Sequence, residues 1–159
     1  MAHVNSFGNI IGEICRKLIP IPEQIYYGNP DSSVAICTLS SLGLLRQITN
    51  SDIINRISIV GRLLSENKGI DQIIRYVNEN KKIRTIIVCG KDVWGHKAGH
   101  SLFEVHRNGI DKNGKIINSK SPDPHLTVPI DQISYFQKKI TLINMINETD
   151  LKKIAQSIT

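Results

Sequence analysis

The side chains best suited to chemistry lie in one short segment, residues 88–102, which reads VCGKDVWGHKAGHSL. It contains three glycines, Gly90, Gly95 and Gly99, and two histidines, His96 and His100. Glycines between a strand and a helix allow a tight turn and let a ligand or a neighbouring helix approach the backbone. Histidine can bind a metal, exchange protons or form structural hydrogen bonds. The spacing alone leaves these alternatives open, including a purely structural turn.

The known glycine-rich and nucleophile motifs do not fit this segment. The spacing G-x4-G-x3-G is neither a dinucleotide fingerprint nor a P-loop. His96, His100 and His106 are an alternative set of divalent-metal ligands. Lys97, however, occupies the glutamate position of the His-Glu-x-x-His motif, so that motif is absent. Ser101 is a weak candidate nucleophile because no aspartate is evidently placed to orient a histidine base beside it.

The composition is that of one globular domain. The chain has 159 residues, 40% of them hydrophobic, and a formal net charge of +6, which favours an anionic partner or simply reflects a solvated surface. The basic cluster at residues 81–84 has no interleaved aromatic side chains, so we expect no nucleic-acid partner. Cys15, Cys37 and Cys89 form no CxxC pair, and no apolar run is long enough to span a membrane. We expect a cytoplasmic, soluble protein with buried thiols at Cys37 and Cys89.

Alternating strand and helix patterns predict how the glycine and histidine segment is positioned. Three short β-branched runs, at residues 34–39, 57–61 and 84–90, are typical of strands buried on both faces. Weaker strand patterns occupy residues 114–118 and 140–146, and helical patterns occupy residues 1–20, 68–81, 96–109, 129–139 and 148–158. The alternation predicts an α/β layer fold around a mostly parallel sheet, in a single domain spanning residues 1–159.

Ligands of such sheets bind beyond the C-terminal ends of the strands. Residues 38–41, 61–67 and 90–100 follow the three buried strand patterns. We therefore expect these three segments to converge at one edge of the sheet.

Three longer motifs occur in a fixed order along the chain. They read GNPDSSVAICTLSS, IVGRLLSENKGIDQII and IIVCGKDVWGHKAGHSL, and HRNGID and FQKKI follow. Together they resemble the corrinoid-carrying A component of tetrahydromethanopterin S-methyltransferase, a methyl-transfer complex in methane-forming archaea. The resemblance runs from about residue 28 to the C-terminus, and several ordered motifs over this length are far more specific than one glycine pattern.

The resemblance implies a Rossmann-like three-layer domain that binds cobalamin or a related cobamide. Residue for residue, the family's lower axial cobalt ligand falls on His96. The cobalt carries a methyl group to the thiol of coenzyme M, together with partner methyltransferase subunits. A corrin supplies the equatorial nitrogens itself, so one neutral imidazole is enough. Further cofactor contacts are implied at Thr38, Leu39, Ser40, Gly61, Glu66, Asn67, Gly90, Val93, Gly95 and Gly99.

Several departures from the family pattern accompany this match. Arg62 replaces a proline, Asp92 a glutamate and His100 a glutamine, and residues 118–126 diverge. Trp94 stands where the general Asp-x-His-x-x-Gly cobalamin motif has its aspartate, so the motif itself offers the imidazole no carboxylate. The family's C-terminal membrane anchor is absent, so we expect a soluble homologue or else a shortened chain.

The sequence therefore predicts a methyl-carrying corrinoid protein that shuttles a methyl group between partner methyltransferases and is inactive without them. Binding or storage of a cobamide without methyl transfer is the alternative, and a divalent-metal protein is a third.

Overall fold

The computed structural model describes residues 24–159, so Cys15 and the helix pattern of residues 1–20 lie outside the described residues. The strands are β1 (Ile25–Tyr27), β2 (Val34–Cys37), β3 (Ile59–Gly61), β4 (Thr85–Gly90) and β5 (Thr141–Ile146). The helices are α1 (Leu42–Thr49), α2 (Lys68–Glu79), α3 (Ala98–Asn108), α4 (Ile130–Lys139) and α5 (Leu151–Gln156), with a 3-10 helix at Asp52–Arg56. Within residues 24–159, no helix is long and apolar enough to cross a membrane.

The strands form one mostly parallel sheet in the order β1-β3-β2-β4-β5. Only β1 runs antiparallel, against β3 at one edge. The chain passes from β2 to β3 on one side and then crosses to β4 on the other side of β2. The topological switch point therefore lies between the C-terminal ends of β2 and β4, where α/β sheets bind ligands.

Helices cover both faces of the sheet. Successive strand residues point to opposite faces, so Val34 and Ile36 pack with α1 and α5, whereas Ala35 and Cys37 pack with α2, α3 and α4. All four residues of β2 are buried, which explains why this strand is continuously apolar in sequence. The predicted Rossmann-like three-layer α/β architecture is confirmed.

The prediction of a strand at residues 114–118 is wrong. Ile116 and Lys115 form only isolated bridges. Gly114 and Asn118 have positive φ angles of 83° and 64°, and this left-handed backbone interrupts the extended conformation at both ends. Strand β1, helix α1 and the 3-10 helix were not predicted; β1 has only three residues, all exposed, and so carries no buried pattern.

Candidate functional site

The three segments predicted to converge do meet at the C-terminal edge of the sheet. The backbone N–H and the Oγ of Ser40 both donate to the carbonyl oxygen of Lys91, at 3.0 and 2.7 Å. The N–H of Lys91 donates to Ser41 Oγ at 2.8 Å. Arg62 Nη2 donates to the carbonyl of Ser40 at 2.8 Å. These bonds tie the loops after β2, β3 and β4 together.

Asp92 organises the loop that carries His96. Its Oδ1 accepts from the N–H groups of Val93 and Gly99, both at 2.8 Å. Its Oδ2 accepts from the N–H of His100 at 3.0 Å. The carboxylate thus satisfies free N–H groups in the first turn of α3 and closes the loop onto the helix. In sequence, Asp92 stands out only as a departure from the family, and its capping role was missed.

His96 pairs with a buried carboxylate from another loop. Its Nδ1 lies 2.9 Å from Glu66 Oε2. The Glu66 side chain is 3% exposed, whereas that of His96 is 56% exposed. The other carboxylate oxygen of Glu66 accepts from the N–H of Asp123 at 3.1 Å. A carboxylate only accepts hydrogen bonds, so Nδ1 donates, and in the neutral imidazole the lone pair is then on Nε2.

The His96–Glu66 pair includes the carboxylate that the local sequence lacks at the aspartate position of the Asp-x-His-x-x-Gly motif. Trp94 occupies the motif's aspartate position, and Glu66, 30 residues away in sequence, provides the carboxylate instead. The sequence predicts Glu66 only as a cofactor contact, whereas the structure places it behind the imidazole. Metal-binding histidines commonly have such a carboxylate on their second nitrogen, which orients the ring and increases its basicity.

The loop around His96 leaves its outer surface open. Trp94 is 97% exposed. Gly95 has a φ of 82°, and a Cβ added there would meet nothing within 4 Å. Among residues 24–159 no group of three or more His, Cys, Asp or Glu side chains could hold a metal ion. One outward imidazole beside open space fits a flat macrocycle that brings its own equatorial ligands.

Four of the predicted cofactor contacts are engaged in packing within the protein. The side chains of Thr38 and Leu39 are fully buried. A Cβ at Gly99 would lie 3.0 Å from a methyl group of Leu39, and one at Gly90 would lie 2.5 Å from the carbonyl oxygen of Thr38. Protein atoms therefore fill the space where a side chain would lie at either glycine. The lack of a side chain lets α3 and β4 approach the loop after β2.

The other predicted contacts lie at the same edge of the sheet. Asn67 Nδ2 donates to Asp123 Oδ2 at 3.1 Å, beside Glu66. Gly61 accepts from the N–H of Thr38 at 2.9 Å. Val93 is half-buried against the core. Cofactor contacts at these residues, and at the four packed ones, stay predictions.

His100 and His106 do not join His96 in a metal site. His100 Nε2 accepts from the N–H of Lys120 at 3.2 Å. His106 Nε2 donates to the carbonyl of Ile140 at 2.7 Å, and its ring packs edge-on against Phe136 with 5.1 Å between centroids. Each of these two rings thus has a structural partner of its own.

We expect the thiols of Cys37 and Cys89 to be inert in the native protein. Burial raises the pKa of Cys37 to about 12 and also raises that of Cys89, so neither forms the reactive thiolate near neutral pH. In a Cys15→Ser background at pH 8, an aromatic disulfide reagent should label neither thiol until urea unfolds the chain. Rapid labelling of the folded protein would contradict the buried placement.

Comparison with known proteins gives a consistent match. The MtrA family model, which describes the A component of tetrahydromethanopterin S-methyltransferase, matches residues 19–159. The A component of a putative methyltransferase Mtx from Methanosarcina acetivorans is 34% identical over 146 residues, covering 91% of this chain and 70% of that protein. Its counterpart in Methanosarcina barkeri is 35% identical over 132 residues, covering 82% and 63%.

The A component of tetrahydromethanopterin S-methyltransferase from Methanosphaera stadtmanae is 32% identical over 133 residues, covering 82% of this chain and 51% of that protein. The matched part of the chain thus spans between half and about two thirds of the length of these three relatives.

Proposed function

The chain belongs to the MtrA family, that of the A component of tetrahydromethanopterin S-methyltransferase, and on this premise we propose that it binds a corrinoid and carries a methyl group between partner methyltransferase subunits. His96 is the proposed lower axial ligand of the cobalt. The observation that supports this assignment best is the hydrogen bond between His96 Nδ1 and the buried carboxylate of Glu66. In the neutral imidazole this contact leaves the lone pair on Nε2, the nitrogen proposed to bind cobalt.

The residues around His96 would hold the imidazole ready for ligation. Glu66 orients the ring through Nδ1 and increases the electron density that the ring can donate through Nε2. Asp123 holds the carboxylate in turn through its backbone N–H. Because hydrogen bonds within the protein hold the ring in place, little ordering entropy of the His96 side chain should be lost on ligation. The corrinoid, when bound, supplies the metal centre that carries the methyl group.

The proposal is tested by reconstituting the chain with aquocobalamin and removing excess cofactor by gel filtration. We expect about one corrinoid retained per chain, with a visible spectrum of imidazole ligation. Trp94, the only tryptophan, is close to His96 in sequence, so its emission should be quenched as corrinoid binds. Excess cyanide, which occupies both axial positions, is the control and should prevent the imidazole spectrum. A chain that retains no corrinoid would contradict the proposal.

The carrier role needs a separate measurement. The chain is loaded with cobalamin that bears an isotopically labelled methyl group and is mixed with coenzyme M, with and without partner subunits. We expect the label to reach the thiol only when the partners are present, because in this proposal the partners bind and activate the thiol. A loaded chain that keeps its label with partners present would contradict methyl transfer and favour binding or storage.

A further inference from the structure

A short segment after α3 contacts both members of the His96–Glu66 pair. We call residues 119–123 the serine strap; they read SKSPD and lie within the stretch that diverges from the family pattern. Ser121 is buried, with 9% of its surface exposed. Its Oγ donates to the carbonyl of His96 at 2.5 Å and also lies 3.2 Å from the carbonyl of Lys97. The strap therefore holds the backbone of His96.

The hydroxyl groups around Ser121 form an ordered chain of hydrogen bonds. Ser121 has one hydroxyl proton, and a carbonyl can only accept it, so Ser101 must be the donor in the 2.5 Å contact between Ser101 Oγ and Ser121 Oγ. Ser119 Oγ, 2.7 Å from Ser101 Oγ, must then donate to Ser101. Ser101 is fully buried. Every proton in this chain points towards the backbone of His96, and hydrogen bonds in such chains strengthen one another.

The other end of the strap holds the carboxylate. The N–H of Asp123 donates to Glu66 Oε1 at 3.1 Å. The Asp123 side chain accepts from Asn67 Nδ2 at 3.1 Å, so the strap is also tied to the residue that follows Glu66. Pro122 lies between the two contacts, and its ring restricts the backbone that joins them. One short, restricted segment therefore links the His96 backbone to the Glu66 carboxylate.

We propose that the serine strap positions the His96–Glu66 pair, with Ser121 as the positioning residue on the His96 side. The strap keeps Nδ1 against the carboxylate, and in the neutral imidazole this contact determines that Nε2 is the nitrogen without a proton. The inference deepens the proposed function, because its consequence for cobalt ligation rests on that function. Its structural part, the orientation and tautomer of His96, rests on contacts within the protein alone.

The test is Ser121→Ala, read first in the corrinoid-free chain. Nitrogen-15 NMR of the His96 ring at pH 8 reports which nitrogen carries the proton. The wild type should be predominantly in the Nδ1–H form, and Ser121→Ala should show a mixture of the two tautomers. Ser157→Ala is the matched control, because Ser157 Oγ also donates to a backbone carbonyl, that of Ile154, at 2.7 Å. Ser121→Thr keeps the hydroxyl and should restore the wild-type tautomer.

The second reading is the affinity for aquocobalamin. Ser121 acts one hydrogen bond further from the ring than a direct partner of the imidazole would. We therefore expect Ser121→Ala to weaken binding by less than roughly 10-fold, the lower end of the range for such partners. A folded Ser121→Ala protein with the wild-type tautomer would overturn the proposal, whatever the corrinoid result. If the wild type binds no corrinoid but Ser121→Ala still shifts the tautomer, the strap is supported and only the proposed function is contradicted.

Ser101→Ala provides the same readout if Ser121→Ala does not fold. It leaves the bond from Ser121 to His96 in place and removes the donor to Ser121 Oγ. We expect a smaller tautomer shift in the same direction. Wild-type behaviour of the folded Ser101→Ala protein would contradict the ordered hydroxyl chain.

Discussion

Replacing His96 with alanine should abolish the imidazole spectrum of the cobalamin-loaded chain and weaken cobalamin binding more than any other single change at the site. The imidazole is the only side chain proposed to bond to the metal, so its removal loses the bond itself. The affinity should fall beyond the roughly 10–100-fold that loss of a ligand's hydrogen-bond partner produces. Visible absorbance titration gives both the spectrum and the dissociation constant.

Glu66→Gln should weaken cobalamin binding less than His96→Ala, because it changes the hydrogen-bond partner of the ligand and not the ligand itself. Glu66 accepts from both His96 Nδ1 and the N–H of Asp123, whereas glutamine has one acceptor oxygen. If that oxygen faces Asp123, the amide NH2 faces Nδ1 and drives the ring proton onto Nε2, the proposed ligand atom. We expect cobalamin binding to weaken roughly 10–100-fold. Glu104→Gln is the control, since Glu104 is also buried but binds Arg107 and Asn108 on α3.

The ligand assignment has one clear contrary outcome. His100→Ala should retain the imidazole spectrum, because His100 Nε2 already accepts from Lys120. If His96→Ala keeps that spectrum while His100→Ala loses it, the assignment to His96 is wrong.

Replacing Gly90 with alanine should destabilise the fold more than any other change proposed above. Gly90 has a φ of 77°, and an added Cβ would lie 2.5 Å from the carbonyl oxygen of Thr38 and 2.8 Å from Ser41 Oγ. The backbone cannot shift freely, because the Gly90 N–H donates to the backbone carbonyl of Glu148 and the Gly90 carbonyl accepts from the backbone N–H of Asn147, both at 2.7 Å. Strain and overpacking together should cost about 2–5 kcal/mol.

Urea unfolding followed by circular dichroism measures this loss as a lower midpoint at unchanged slope. Gly43→Ala is the matched control. Gly43 lies in α1, where an added Cβ meets nothing within 4 Å, so alanine should stabilise the protein by up to about 1 kcal/mol through its helix propensity. Equal midpoints for the two variants would contradict the packing described around Gly90.

Much of the fold could be predicted because its signals are local. Strands β2, β3 and β4 are short β-branched runs, and α2 shows apolar residues at helical spacing. The exposed strand β1 could not be predicted, because its three residues carry no buried pattern. The strand predicted at residues 114–118 fails because two left-handed residues flank it, and apolar content alone does not reveal backbone handedness.

Part of the candidate site could also be predicted from the sequence. The ordered motifs identify the family and predict His96 rather than His100 as the ligand, because motif order and residue spacing are properties of the chain alone. The three strand-end segments could be expected to converge, since parallel strands end at the same edge of a sheet.

Only the tertiary structure decided what surrounds His96. Glu66 and Ser121 lie 30 and 25 residues from it in sequence, and neither distance corresponds to a motif. Their hydrogen bonds exist because the fold brings the loops after β3 and β4 and the segment after α3 together. The same packing assigns Gly90 and Gly99 to close contacts within the protein and leaves open space beside Gly95. Such contacts depend on how the loops pack against one another, and one-dimensional spacing does not contain that information.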